Sequence, residues 1–312
     1  MANYSKIIEH YPEMADFPLN ELIAFRGDIL SYRGNLKRAS FSTDAQGFRH
    51  STLDGKTMSV VDCIRSDRYG IVLGASNIFG TGVAGNENTL PSLLADRFGF
   101  PFANAAMPGG NSRNLHTSLV GLLAGARQPP AVVILSNGGD LANFCEAGIV
   151  DPVFGSPNRM QMKRVETNSL NVDLEAQFER LLVFSALWAS ATATLCRMYK
   201  TPLVMAHLSS FFAKTEPTPV ELDCKLGQPE RPGQRIVLSR FAAFTPRFVA
   251  KRAEIAKNLN MPLAGAGLLD RLTFVDEFHL DRDGVRMLSQ AVGDTIEPLV
   301  ASRKPKAKKA KA

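Results

Sequence analysis

The chain is poor in the residues that mark specialised classes. Its four cysteines (Cys63, Cys145, Cys196, Cys224) lie far apart with no Cys-x-x-Cys pair. That spacing excludes a zinc ribbon or a disulfide framework and fits reduced thiols packed as small apolar residues. Five histidines include no pair at i, i+4, so no metal site is expected. No apolar run reaches the roughly 20 residues of a membrane span. Residues 1–20 mix charge and polarity without the apolar centre of a signal peptide, so the expectation is a cytoplasmic protein with no membrane partner. Excess charge is scarce as well. The net +6 is carried by Arg303, Lys304, Lys306, Lys308, Lys309 and Lys311, which leaves the body neutral. A nucleic-acid partner is therefore not expected, and residues 301–312 read as a disordered, solubilising basic tail.

The rest is ordinary globular material, 312 residues at 45% hydrophobic, enough for one large domain or two small ones. Residues 1–66 carry no chemical motif. Residues 19–25 fit a short amphipathic helix, and Gly34, Ser42, Asp44 and Gly47 break the next stretch into short strands or loops. This part reads as an N-terminal extension laid against the main domain. From residue 67 the pattern becomes regular. Apolar strand-like runs at 70–73, 100–105, 131–136, 203–208 and 262–269 alternate with helical patterns at 91–98, 115–126, 170–200, 248–259 and 285–292. Residues 212–235, with Pro217, Pro219, Pro229 and Pro232, read as an extended loop. The alternation predicts a three-layer α/β/α domain over 67–300, built on a mostly parallel five-stranded sheet.

Open parallel sheets bind ligands at the carboxyl edge of their strands. Polar, glycine-flanked residues collect at those predicted edges. Ser76 follows Gly74, Gly109 follows Asn104, and Asn137 opens the run Asn137-Gly-Gly-Asp140. Asp276-x-x-His279 precedes the last helix. Singly, these are turn residues and helix caps. Together they supply the parts of an acyl-transfer site: a hydroxyl nucleophile, a base, a group to orient the base, and oxyanion donors.

In this order, Gly74-Ala-Ser76-x-x-x-Gly80, Asn104-x-x-x-x-Gly109 and Asp276-x-x-His279-Leu-x-x-x-Gly284 resemble the SGNH (GDSL-type) hydrolase superfamily, over residues 68–295. The texture is closest to bacterial members associated with saccharide acylation, which carry a Gly-Phe-Arg turn upstream, here residues 47–49. The resemblance implies a flavodoxin-like SGNH fold and a cofactor-free serine hydrolase. Its substrate would be a small O-acyl, acetyl-like ester, with a saccharide as the candidate alcohol. Ser76 would be the nucleophile and first oxyanion donor, Gly109 the second donor, His279 the general base and then acid, and Asp276 its orienter. The family's Asp before the serine is Ala75 here. Where the family has Gly-x-Asn-Asp, this chain has Gly139 or Asp140 at the Asn position, so Asn137 is taken as the third donor with Asn143 behind it. Two alternatives stand beside hydrolysis. One is an O-acyltransferase using the same triad. The other is a non-catalytic SGNH-like binding protein, which would hold Ser76 more than about 5 Å from His279.

A rival signal is Gly80-Thr-Gly82-Val-Ala-Gly85, which matches Gly-x-Gly-x-x-Gly. It does not follow its strand directly, and the next strand ends in Asn104 without an acid for a ribose, so dinucleotide binding is not expected. His116 and His207 read as packed residues. The loops of the 140s–160s and 212–235 are expected to shape the pocket.

Overall fold

The computed structural model describes residues 4–17, 23–26, 29–157, 172–207, 210–228 and 232–301. The basic tail beyond residue 301 and part of the 140s–160s loop lie outside the described residues. After a short helix, Tyr4–His10, and a 3-10 turn, Pro12–Asp16, come two antiparallel hairpins: β1 (Ile23–Arg26) with β2 (Ile29–Tyr32), and β3 (Ser51–Leu53) with β4 (Lys56–Met58). The main sheet holds β5 (Gly70–Gly74), β6 (Phe102–Ala106), β7 (Val132–Leu135), β8 (Leu203–Ala206) and β9 (Leu263–Ala264). It runs in the order β6-β5-β7-β8-β9 with every pair parallel. This is the three-layer α/β fold that the resemblance implied.

The strands are buried on both faces, which is why they read as near-continuous apolar runs rather than alternating ones. Their side chains still divide by parity. Val72, Ile134 and Val204 join the layer containing Leu94, Val285, Val292 and Ile296. Ile71, Leu73, Val133 and Met205 join the layer containing Leu115, Leu119, Ala189 and Ala193. The strand order reverses between β5 and β7, since β6 lies on the far side of β5. A crevice opens at such a switch point, beyond the strand ends.

The segment before β5 is woven into this body. Arg49 is fully buried, and its guanidinium donates to the carbonyls of Ser40, Gly80, Val83 and Gly85 and to the Asn86 side chain. Tyr32 stacks on Phe79 at 3.9 Å, with Phe41 against the same ring. The Gly80–Gly85 motif is thereby explained. Its glycines all adopt positive φ, and the loop turns carbonyls toward a buried cation rather than N–H groups toward a phosphate.

Several elements differ from the sequence reading. Residues 23–26 form a strand rather than the end of a helix; hairpin pairing with residues 29–32 overrides the amphipathic pattern, and residues 19–22 lie outside the described residues. Residues 212–235 are not an extended loop. They hold a 3-10 turn at Phe211–Ala213, a helix at Pro219–Asp223 and the start of a 27-residue helix, Pro232–Asn258. Pro219 and Pro232 open helices, where the missing N–H costs nothing. Within this region Lys214 and Glu221 form a buried ion pair at 2.9 Å, and Glu221 also accepts the Phe274 N–H. Although no apolar run of that length was expected, helix Leu174–Met198 is long and apolar enough, by length and composition, to cross a membrane. In the fold it packs Phe178, Leu181, Ala189 and Ala193 against the domain.

Candidate active site

Ser76 stands two residues past the end of β5, at the start of the one-turn helix Ser76–Phe79. Gly74 permits this turn, because a Cβ there would fall 2.3 Å from the Ile78 side chain. On the far side of the edge, residues 274–281 close on themselves: the Val275 N–H donates to the His279 carbonyl, and Phe274 bridges Leu280. Asp281 then accepts the Gly284 N–H and starts the final helix, Arg282–Ala301. The loop delivers Asp276 and His279 to Ser76.

The distances among the three are short. Ser76 Oγ lies 2.7 Å from His279 Nε2. His279 Nδ1 lies 2.7 Å from Asp276 Oδ2 and 2.9 Å from Oδ1. Asp276 Oδ1 also accepts the N–H groups of Phe278 and His279, so the carboxylate is fixed by its own loop. Burial by itself would push the Asp276 carboxyl up. The His279 charge, its hydrogen bond and the two backbone donors outweigh that and hold it below the usual aspartate value. An ionised carboxylate on Nδ1 keeps the proton there and leaves Nε2 free to accept from Ser76. The separation of more than about 5 Å expected of a non-catalytic relative is not found.

A small open pocket of about 60 Å³ adjoins Ser76. Ser76, Gly109, Gly138 and Gly139 line it, together with Leu141, Phe241 and Phe278. Gly109 takes a positive φ of 60°, and its carbonyl is held by Asn143 Nδ2 at 2.9 Å. The N–H groups of Ser76, Gly109, Gly138 and Gly139 make no hydrogen bond among the described residues.

Asn137, expected as the third oxyanion donor, is the correction here. It is fully buried outside this pocket, and its amide already donates to Ser185 and Ser112 while its oxygen accepts from Arg252. Asn143 spends an amide N–H on Gly109. Of the two residues that could stand at the family's asparagine position, Gly139 cannot carry a side chain, because a Cβ there would fall 2.0 Å from the Gly110 carbonyl oxygen. The start of helix Gly139–Ala147 therefore presses its bare backbone against the Gly109–Gly110 turn. Asp140 fastens the two, accepting the Ser112 N–H at 2.7 Å and the Ser112 hydroxyl. Arg252, fully buried, reaches Asn137 and the Ala206 carbonyl from the long helix.

Sequence reasoning missed this Asp140–Ser112–Asn137–Arg252 network, because Arg252 stands on a helix 112 residues beyond Asp140. It also missed Ser210, which lines the pocket just after β8. A signal existed, since Ser210 follows an apolar strand as Ser76 does. The remaining histidines stay away: His116 meets Thr192 Oγ1 at 3.2 Å, and His207 is buried at the end of β8. All four cysteines are buried, and burial pushes the Cys63 and Cys196 thiols up to about 12.

No family model matches the sequence, and no curated protein does. Solved structures similar to the chain include proteins described as esterases and as a GDSL-like lipase. A carbohydrate acetylesterase family member from Sinorhizobium meliloti is 11% identical over 75% of this chain and 99% of its own, with a TM-score of 0.49. A GDSL-like lipase from Bacteroides thetaiotaomicron is 13% identical over 74% and 89%, with a TM-score of 0.44. A psychrotrophic esterase from a Pseudoalteromonas species is 13% identical over 75% and 99%, with a TM-score of 0.43. At these values the functional reading rests on the chain's own geometry.

Proposed function

We propose that this chain is a serine esterase that removes a short acyl group from an alcohol. The observation that carries the reading is the 2.7 Å contact between Ser76 Oγ and His279 Nε2, with Asp276 on the opposite ring nitrogen. Ser76 attacks the ester carbonyl while His279 takes its proton at Nε2. Asp276 holds the Nδ1 proton and stabilises the imidazolium that forms. The carbonyl oxygen becomes an oxyanion beside the N–H groups of Ser76 and Gly109. The donor that the family draws from an asparagine falls here to the N–H groups of Gly138 and Gly139, unpaired among the described residues, at the electropositive start of a helix. Collapse of the adduct expels the alcohol, which His279 protonates. Water, deprotonated by the same nitrogen, then attacks the acyl-enzyme and releases the acid.

The size of the pocket and its Leu141, Phe241 and Phe278 walls favour a short acyl group such as acetyl. A saccharide as the alcohol rests on the sequence resemblance to saccharide-acylation members. The test is labelling by a fluorophosphonate probe alongside ester hydrolysis. Ser76→Ala is expected to abolish labelling and to lower kcat by on the order of 10⁴ or more, with circular dichroism unchanged. A folded parent that resists the probe and cleaves no short-chain ester would overturn the reading.

A further inference from the structure

Besides Ser76, the pocket is lined by one hydroxyl that makes no hydrogen bond among the described residues. Ser210 is only 3% exposed, and its hydroxyl is buried without a hydrogen-bond partner among the described residues. It does not cap the 3-10 turn Phe211–Ala213, although it stands at the position where serine usually does so. Its carbonyl, not its hydroxyl, makes the local bond, accepting the Ala213 N–H. Ser210 lines the same pocket as Ser76, among Leu141, Ala142, Phe241 and Phe278. Asn77, next to the nucleophile, also lines it, and its Oδ1 is likewise buried and unpartnered among the described residues. A buried hydroxyl with no partner is a standing cost to the fold, and such costs are retained where a ligand meets them.

We infer that Ser210 is a substrate-specificity residue, and that the substrate carries a hydroxyl on a carbon close to the ester. The inference rests on the esterase reading of Ser76. Among the described residues the Ser210 hydroxyl is unpaired. When substrate enters, its Oγ accepts from or donates to the substrate hydroxyl, which would otherwise be stranded against Phe241 and Phe278. A site built this way rejects the matched apolar analogue, because the analogue leaves the buried group unpaired. The hydroxyl could sit on the acyl part or on the alcohol part.

Two isosteric ester pairs separate those sources. Aryl glycolate against aryl propionate places a hydroxyl or a methyl on the acyl side. 2-Hydroxyethyl acetate against propyl acetate does the same on the alcohol side. The parent enzyme is expected to favour the hydroxylated member of one pair by about 10-fold or more in kcat/KM, and Ser210→Ala to remove most of that preference. Ser210→Thr, which keeps the hydroxyl, should retain part of it. Thermal melting supplies a readout that a purely structural role would not give: Ser210→Ala should melt at or above the parent temperature, because it deletes an unsatisfied buried group. An active parent that discriminates in neither pair, or a Ser210→Ala enzyme with selectivity intact, overturns the assignment while leaving the esterase reading standing. A parent that cleaves none of the four esters removes both.

Discussion

At Asp276 opposing effects meet in a single carboxyl. Burial favours its neutral form; the electrostatic pull of His279 and three hydrogen bonds favour the anion, and the anion prevails. Its folded pKa therefore lies below the unfolded value of about 3.9. Because the unfolded state holds the proton more tightly, Asp276 adds stability above about pH 4, and that stability is lost as pH falls through the folded value. Asp276→Asn should flatten the acid limb of a melting-temperature profile recorded between about pH 2 and 5. It should also lower kcat by on the order of 10³–10⁴, because the imidazole loses its tautomer control. An acid limb identical to the parent's would contradict the assignment of the low-pH loss to this carboxyl.

At the scale of elements, the site depends on two helix starts meeting at one turn. Helix Ser112–Gly125 begins at an Asn111–Asn114 capping box, and helix Gly139–Ala147 begins on bare glycines. Asp140 joins them through Ser112, and the joint keeps the Gly109–Gly110 turn against Gly139. Asp140 gains nothing from ionisation alone. Burial pushes its carboxyl above the usual range, although bonds from Ser112 and the charge of Arg252 pull the other way. Asp140→Asn keeps the shape but replaces an acceptor oxygen with an N–H₂ facing the Ser112 donors. The expected result is a loss of about 1–3 kcal/mol in urea unfolding. A drop in kcat/KM of about 10–100-fold should accompany it as the oxyanion donors shift. The loss should fall on kcat more than on KM, because the donors meet charge that develops only in the transition state.

For the whole molecule, the decisive joint is Arg49. It ties residues 40–49 to the loop after Ser76, through the carbonyls of Gly80, Val83 and Gly85 and the side-chain amide of Asn86. Tyr32 and Phe41 belong to the same core cluster as Phe79, so the segment before β5 and the main sheet share a core. Arg49→Met would strand those carbonyls beside an apolar chain. It should cost about 3–5 kcal/mol and weaken turnover together with stability, since Gly80 ends the helical turn that begins at Ser76. Chemical unfolding monitored by fluorescence and by residual activity should give coincident transitions. A separate early transition for activity would show that the N-terminal segment melts independently.

The sheet and the places of Ser76, Asp276 and His279 were legible in the sequence for a local reason. Buried parallel strands are short apolar runs, each ending at a polar, glycine-flanked edge, and an Asp-x-x-His pair lies within one loop. Those patterns need no knowledge of distant neighbours. Contacts between residues far apart in sequence decided the rest. The prolines at 219 and 232 read as breakers until their helix positions were known, and residues 23–26 took their strand form from pairing. Asn137 looked like the free amide on the right loop, yet Ser112, Ser185 and Arg252 had already claimed it. The sequence by itself determined which strand end carries Ser76 and which loop carries Asp276 and His279. Tertiary structure alone decided which polar groups beside them remain unpaired, because pairing is a property of the atoms packed around a group and not of its place in the chain.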